Sequence, residues 1–384
     1  MGSSAQVIIV GAGPTGAALA WLLSRHGIPV CLVEAKPMDR QPFRGQALMP
    51  SGLAALEAMD IPLNHIPHRP LRAWEFWLDG KLLFRAQEPL GSPFPCTLID
   101  PTALVAQLLR QAQGSGYLVQ QFGIPVVDLL WQGERVVGVK LADGQALTGQ
   151  LVVAADGRAS PLRQLAGLTV KKSGSPLTVH WYRLPVSAAW LRDNVFCTCL
   201  GERQLLAVFQ GADPECLSLA WVGRGSLDLQ TWLPYVPPAL AEHFRHRGDQ
   251  LSGPTTITAQ AGYCPRWWRP GLLLLGDAAH PMSPVRAQGI NMSLRDVIVA
   301  SNHILNQWGS LAWDLRGVEA ERRPEIRRIQ RLQAQETRQG ELLRTLPGLR
   351  PALLPWGSVL KQIWIRRQRP LRQGITSLQL LSKP

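Results

Sequence analysis

The chain opens on a continuous apolar run, Gln6-Val-Ile-Ile-Val10, too short for a buried helix and rich in β-branched residues. That pattern predicts a strand covered on both faces. Gly11-Ala-Gly-Pro-Thr-Gly16 follows, then an apolar helical stretch at 17–25 that stops at Gly27, then a second strand at 30–34. Between 40 and 150 helical and strand-like pieces alternate. Residues 51–59 and 101–113 predict helices, the second with Asp100 as N-cap and Pro101 in its first turn. Residues 136–141 and 146–153, joined through Asp143-Gly144, predict a hairpin whose second strand returns to the core sheet. From 175 to 265 the runs 177–184, 205–210 and 217–222 are rich in Val, Trp, Phe and Tyr and broken by Gly, Asp and Pro, which predicts an inserted antiparallel sheet. Residues 272–276 then restore a buried parallel-type strand.

Composition narrows the class. With 384 residues, 46% hydrophobic and 17% charged, the chain can bury two subdomains around one ligand site, and disorder is excluded. The 35 Gly and 31 Pro show no collagen period and argue for many turns between short elements, not a bundle of long helices. The net charge of +13 is concentrated at the end, where residues 315–384 hold 13 Arg and 2 Lys against 5 Glu. A nucleic-acid groove through the main body is therefore not expected, and no nucleic-acid partner is predicted. Six scattered cysteines give neither a disulfide framework nor a zinc site, since Cys197 and Cys199 form a CxC with no second pair. No window reaches about 18 apolar residues, so a cytoplasmic protein without metal or membrane span is expected.

The glycine turn carries the first chemistry. Gly11 allows the tight bend, Gly13 lets backbone approach a pyrophosphate, and Gly16 lets the helix pack closely on the strand. The anion would rest on the unpaired N–H groups at the helix start, and Glu34, ending the second strand, is placed for a ribose hydroxyl. A lone GxGxxG is weak evidence, and the strand before it, helix after it and carboxylate beyond make this one strong.

Two further segments point the same way. Val152-Val-Ala-Ala-Asp156-Gly157-Arg-Ala-Ser160 is an apolar strand ending in Asp-Gly. Gly271-Leu-Leu-Leu-Leu-Gly276-Asp277-Ala-Ala-His280 is another, followed by Pro284-Val-Arg-Ala-Gln288-Gly289-Ile-Asn291-Met-Ser-Leu-Arg-Asp296. With these motifs in this order, the chain resembles the single-component flavoprotein aromatic hydroxylases, the family of para-hydroxybenzoate hydroxylase and the ubiquinone-pathway hydroxylases, over residues 5–330. Glu319-Ala-Glu-Arg-Arg-Pro324 is similar to that family's helix after the third motif.

The resemblance implies an α/β fold: a Rossmann-like FAD-binding domain of the GR2 type, interrupted by an antiparallel-sheet substrate domain and ending in a C-terminal helical tail. The expected parts are 1–174 and 266–330 for the FAD-binding domain, 175–265 for the substrate sheet and 331–384 for the basic helical region. Gly11, Gly13, Gly16 and Glu34 would hold the adenosine half of non-covalent FAD, Arg44 its pyrophosphate, Asp156 and Gly157 both FAD and the reductant, and Gly276 with Asp277 the ribityl chain. Pro284, Gln288, Gly289 and Asn291 would form the loop under the flavin ring, with helix 291–304 aiming its dipole at N1 and C2=O. No catalytic side chain is implied. NADPH or NADH would reduce the flavin, and O2 would form a C4a-hydroperoxide that hydroxylates or epoxidises an aromatic, quinone-like or isoprenoid small molecule.

Alternatives from the same reading are a related flavoenzyme, namely a halogenase, reductase or dehydrogenase, or a non-catalytic flavin-binding protein. The halogenase signature Trp-x-Trp-x-Ile-Pro is absent. His280 reads chiefly as a helix-start residue, and Trp267-Trp268 and residues 180–183 as core or sheet-face positions. Two departures from the family pattern put FAD affinity in question. Ala287 stands where most members have glycine, and Ile99-Asp-Pro101-Thr-Ala-Leu104 lacks the arginine that many relatives place three residues before that leucine. Residues 351–369 interleave Trp356 and Trp364 with Lys361, Arg366, Arg367 and Arg369, which suits either a tail packed on the body or peripheral contact with an anionic membrane.

Overall fold

The computed structural model describes residues 7–37, 46–186, 194–223, 225–309 and 313–381. Its helices are α1 (Pro14–Arg25), α2 (Pro50–Ala58), α3 (Pro101–Gly114), α4 (Pro161–Leu165), α5 (Leu229–Trp232), α6 (Pro238–Arg247), α7 (Gln288–Asn306), α8 (Arg316–Thr345), α9 (Arg350–Leu353) and α10 (Gly357–Gln373).

A six-stranded sheet forms the centre, in the order Leu118–Phe122, Val30–Glu34, Val7–Val10, Leu151–Ala154, Leu272–Leu274, Trp268–Arg269. All neighbours run parallel except the last pair. Successive side chains alternate faces, so Val7 and Ile9 pack under α1, α3 and α7, while Ile8 and Val10 pack toward α4, α8 and a three-stranded sheet. Burial on both sides is why these strands read as unbroken apolar runs. Helix α3 begins as predicted, with the Asp100 carboxylate accepting from the Thr102 and Ala103 amides.

The predicted hairpin at 136–153 is split. Ala146–Thr148 completes the three-stranded sheet against Arg135–Leu141, and after Gly149 a separate strand, Leu151–Ala154, joins the parallel ladder. One straight strand could not serve two sheets with different partners.

A second large sheet has seven strands, in the order Ser252–Tyr263, Lys171–Pro185, Cys216–Val222, Gln204–Gln210, Val195–Gly201, Ala73–Leu78, Lys81–Gln87. The antiparallel strands expected between 175 and 265 are there, but Ala73–Leu78 and Lys81–Gln87 extend the sheet from a distant part of the chain, and Ala73–Leu78 pairs in parallel with Val195–Gly201. Periodicity marks a strand and says nothing of its partner, so this extension was not predicted. Helix α6 within 175–265 was also missed; its Leu240, Ala241 and Phe244 pack with α5 against one face of the sheet.

The other face carries Trp74, Phe76, Trp181, Phe196 and Phe209 and turns toward the central body at Met49, Cys96 and Leu98. Trp74 lies 4.8 Å from Phe196 between ring centroids, and Phe196 stacks on Phe209 at 4.8 Å and 11°. Helix α8 runs unbroken across the boundary expected at 330/331. No helix among the described residues is long and apolar enough to cross a membrane.

Candidate active site

The three sequence motifs converge at the C-terminal edge of the central sheet. Gly11 has φ +102°, and a Cβ there would lie 2.4 Å from the Ala155 carbonyl oxygen and 2.9 Å from the Asp156 Cα. Gly16 admits no side chain, because its Cβ would stand 1.9 Å from the Gly11 oxygen. Gly276, at φ +61°, faces the Thr15 and Ser293 hydroxyls, each 2.8 Å from a hypothetical Cβ. Thus the first turn touches the Asp-Gly motif, and the third motif touches both α1 and α7. Neither α1 nor α7 has a side-chain cap at its N-terminus. Two helix starts with uncapped amides beside this glycine-lined cradle make a site for an anionic, extended dinucleotide.

The carboxylates in the cradle differ. Glu34 accepts from the Ala12 amide at 2.8 Å and the Lys36 amide at 3.0 Å, tying the glycine turn to the second strand. Asp277 is partly open; its Oδ2 is 3.1 Å from Arg158 Nη2 and its Oδ1 accepts from the Met282 amide at 3.3 Å. Asp156 is turned away, its Oδ2 accepting from the Leu162 amide at 3.0 Å in the first turn of α4. Burial pushes its carboxyl up, against the opposing hydrogen bonds from Ser160 and Leu162, and Oδ1 is buried without a partner. Gly157 has φ +80° and open space around it. Gly13 caps α1 in an extended conformation. Arg44 lies outside the described residues.

The loop before α7 departs from regular geometry. Pro284 is helical, but Arg286 (φ 61°, ψ 22°) and Ala287 (φ 48°, ψ 38°) are both left-handed. Two consecutive non-glycine residues there cost about 1–2 kcal/mol each. The resulting turn places Gly289 beside Asp277, whose Oδ1 lies 3.9 Å from a Cβ built on the glycine. Asn291 is spent on backbone: Oδ1 accepts from the Met49 amide at 2.8 Å, while Nδ2 donates to the Ala47 and Ala287 carbonyls at 3.1 and 2.7 Å. It staples segment 47–49 to the loop. Gln288, fully buried, likewise donates to the Arg286 and Leu371 carbonyls at 2.9 Å each.

The family model described as "FAD binding domain" matches residues 4–323 of the chain. The chain belongs to this FAD-binding family. The 6-methylpretetramide 4-monooxygenase of Streptomyces rimosus is 31% identical over 362 residues, covering 88% of this chain and 84% of that protein. The 3-demethoxyubiquinol 3-hydroxylase of Escherichia coli (strain K12) is 27% identical over 322 residues, covering 78% and 80%. Among solved structures, Pseudomonas aeruginosa PqsL in complex with 2-aminobenzoylacetate superposes with a TM-score of 0.77 at 22% identity, covering 91% of this chain and 98% of that one. That likeness shows the fold. The protein is thus an FAD-dependent oxidoreductase of the monooxygenase class, with NAD(P)H as the reductant typical of the family.

This FAD-binding protein also holds a buried charge network that residue spacing did not reveal. His280 Nε2 is 2.6 Å from Asp296 Oδ2, and Asp296 Oδ1 accepts from Arg322 Nε at 2.7 Å. Arg322 pairs with Glu325, which pairs with Arg295 at 2.8 Å and accepts from the Ile375 amide at 2.7 Å. Asp296, Arg322 and His280 are all 0% exposed. His280 therefore does not start a helix, as the sequence suggested, but lies in a bend after residues 276–278 and ties the third motif to α7 and, through Asp296, to Arg322 of α8. Arg322 lies inside the Glu319–Pro324 motif and Arg295 and Asp296 end the third motif, but nothing local shows that they pair, because His280–Asp296, Asp296–Arg322 and Arg295–Glu325 join residues 16, 26 and 30 positions apart.

Proposed function

We propose that the protein hydroxylates a planar, largely apolar aromatic or quinone-like molecule held between the aromatic face of the seven-stranded sheet and the loop 284–289. The observation carrying this reading is the ring surface of Trp181, Phe196 and Phe209 continuous with Trp74 and Phe76, whose rings are covered by the Arg286 guanidinium of the loop at 5.4 and 5.7 Å and by Trp364 at 6.0 and 5.3 Å between centroids. Rings of this kind bind flat apolar molecules by area and by edge and face contacts. Bound FAD supplies the redox chemistry, taking a hydride from NAD(P)H and transferring one oxygen atom of O2 while the other leaves as water. The chain's own part is positional. The glycine turns would admit the dinucleotide, the uncapped α7 amides would favour the negative charge of the reduced ring, and the aromatic wall would exclude water. Relatives named for 6-methylpretetramide and 3-demethoxyubiquinol support a ring-bearing substrate. A relative named menaquinone reductase defines the competing outcome. Turnover of candidate phenols and quinols under labelled O2 should add one labelled oxygen to product. Product reduced without label would replace hydroxylase by reductase.

The carboxylate geometry gives a second test. Asp277→Ala is expected to weaken FAD binding about 10- to 150-fold, the range for losing a hydrogen bond to a charged group. Asp156→Ala should weaken it less, because its bonded oxygen serves α4. Flavin fluorescence titration of both variants checks this, and equal losses would reject the assignment.

For the C-terminal region we propose reversible contact with an anionic bilayer. Helix α10 packs inward through Gln368, Leu371 and Arg372, yet Trp356 just before it and Val359, Ile363, Arg366 and Arg367 on it are exposed. No Asp or Glu occurs after Glu341. Cations near such a surface contribute about 1 kcal/mol each. Co-sedimentation with anionic vesicles should be present at low salt and lost at high salt, and lost also in Trp356→Ser/Ile363→Ser. Absence of binding at low salt would leave α10 with its packing role alone.

A further inference from the structure

The left-handed turn at Arg286–Ala287 is gripped from behind by the C-terminal helices. Gln333 of α8, almost fully buried, donates from Nε2 to the Ser283 carbonyl at 3.0 Å and the Val285 carbonyl at 2.6 Å. One turn on, Glu336 accepts from Arg286 Nε at 2.7 Å. The other Glu336 oxygen accepts from Gln368 of α10. Trp364 of α10 stands 5.1 Å from the Arg286 guanidinium, on the ring-bearing side shared with Trp74 and Phe76. Gln288, at the loop's far end, donates to the Leu371 carbonyl of α10 at 2.9 Å. Every residue from 283 to 288 except Pro284 and Ala287 is therefore held by a side chain or carbonyl of residues 333–371 or holds one itself.

The grip answers a specific need. Glycine at position 287 would adopt positive φ without steric cost, whereas this chain sets arginine and alanine there in succession. A free loop of this sequence would relax toward negative φ and carry Gly289 and the start of α7 out of place. We infer that Glu336, braced by Gln368, is a positioning residue that clamps Arg286 and so holds the loop 284–289 in its cofactor-ready turn. The clamp does by side-chain contact what glycine does by conformational freedom. It makes the basic C-terminal helices a working part of the site. The inference rests on the reading of this loop as the one beneath the flavin.

The test uses the full chain, with and without FAD, and the variants Glu336→Ala, Glu336→Gln, Ala287→Gly and the double Glu336→Ala/Ala287→Gly. Two readouts are taken: amide hydrogen exchange of peptides covering 284–290 in the FAD-free protein, and FAD affinity by fluorescence quenching. Glu336→Ala should speed exchange in that segment about tenfold and weaken FAD about tenfold, as the loss of one charge-assisted contact implies, while exchange in the six-stranded sheet stays unchanged. Glu336→Gln, which keeps an acceptor for Arg286, should fall between it and the parent. In the double variant glycine should restore part of the lost FAD affinity, because the strain at position 287 is then gone and only that at Arg286 is left for the clamp to hold. Unchanged loop exchange in Glu336→Ala, or losses in the double variant that Ala287→Gly does not rescue, would overturn the clamp. Faster exchange and glycine rescue of that exchange, with FAD affinity untouched throughout, would uphold the clamp and overturn the placement of the flavin on this loop.

Discussion

Arg322→Ala is expected to destabilise the protein by about 3–5 kcal/mol, the cost of leaving buried carboxylates without their cation. Its guanidinium is fully buried between Asp296 and Glu325. Burial alone would raise both carboxyls, but His280 and Arg322 outweigh it at Asp296, and Arg322 and Arg295 outweigh it at Glu325, so both are held below the usual carboxylate range. A carboxyl whose folded value is lowered contributes stability that is complete above its unfolded value, near 4, and is lost as pH falls through the lowered one. Without Arg322 that depression shrinks and acid unfolding should begin at higher pH. Denaturant unfolding at neutral pH and a pH series of thermal midpoints check both halves. A loss under 1 kcal/mol with an unshifted acid limb would show that the network relaxes around the gap.

Gly16→Ala should purify without flavin and lose about 1–3 kcal/mol of stability, the usual cost of forcing a methyl into a closed space. The new Cβ would meet the Gly11 carbonyl oxygen at 1.9 Å and the Ile9 side chain at 3.3 Å, with backbone on the nearer side and nothing flexible to yield. Helix α1 must lift from the strand, taking its amides away from the phosphate position. Flavin content after purification and a thermal melt decide the matter. A yellow variant with the parent's midpoint would mean that the turn and helix are not in close register.

The contrast between glycines shows what kinds of information the chain carries. Gly11, Gly16 and Gly276 were legible because each sits in a short motif of fixed spacing, although the close neighbours of Gly11 and Gly276, Ala155 and Thr15, come from distant parts of the chain. The strands Val7–Val10 and Val30–Glu34 were legible for a similar reason, since burial on both faces removes polar residues from the run itself. Asp156 and Asn291 were found as motif members, but the structure puts their side chains on α4 and on backbone at 47, 49 and 287. Spacing marks a position without saying which way its side chain points.

By itself the sequence determined the βαβ core, the three glycine-bearing motifs and their order, and the likeness to a flavin-dependent hydroxylase family. These depend on periodicity and on local backbone demands, which are written in neighbouring residues. Only the tertiary structure decided that residues 73–87 complete the seven-stranded sheet, that His280, Asp296, Arg322, Glu325 and Arg295 form one network, and that α8 and α10 reach the loop at 283–288. Apart from Arg322 with Glu325, those pairings join residues 16 or more positions apart, and their energies come from burial and charge compensation that exist only once the chain has packed.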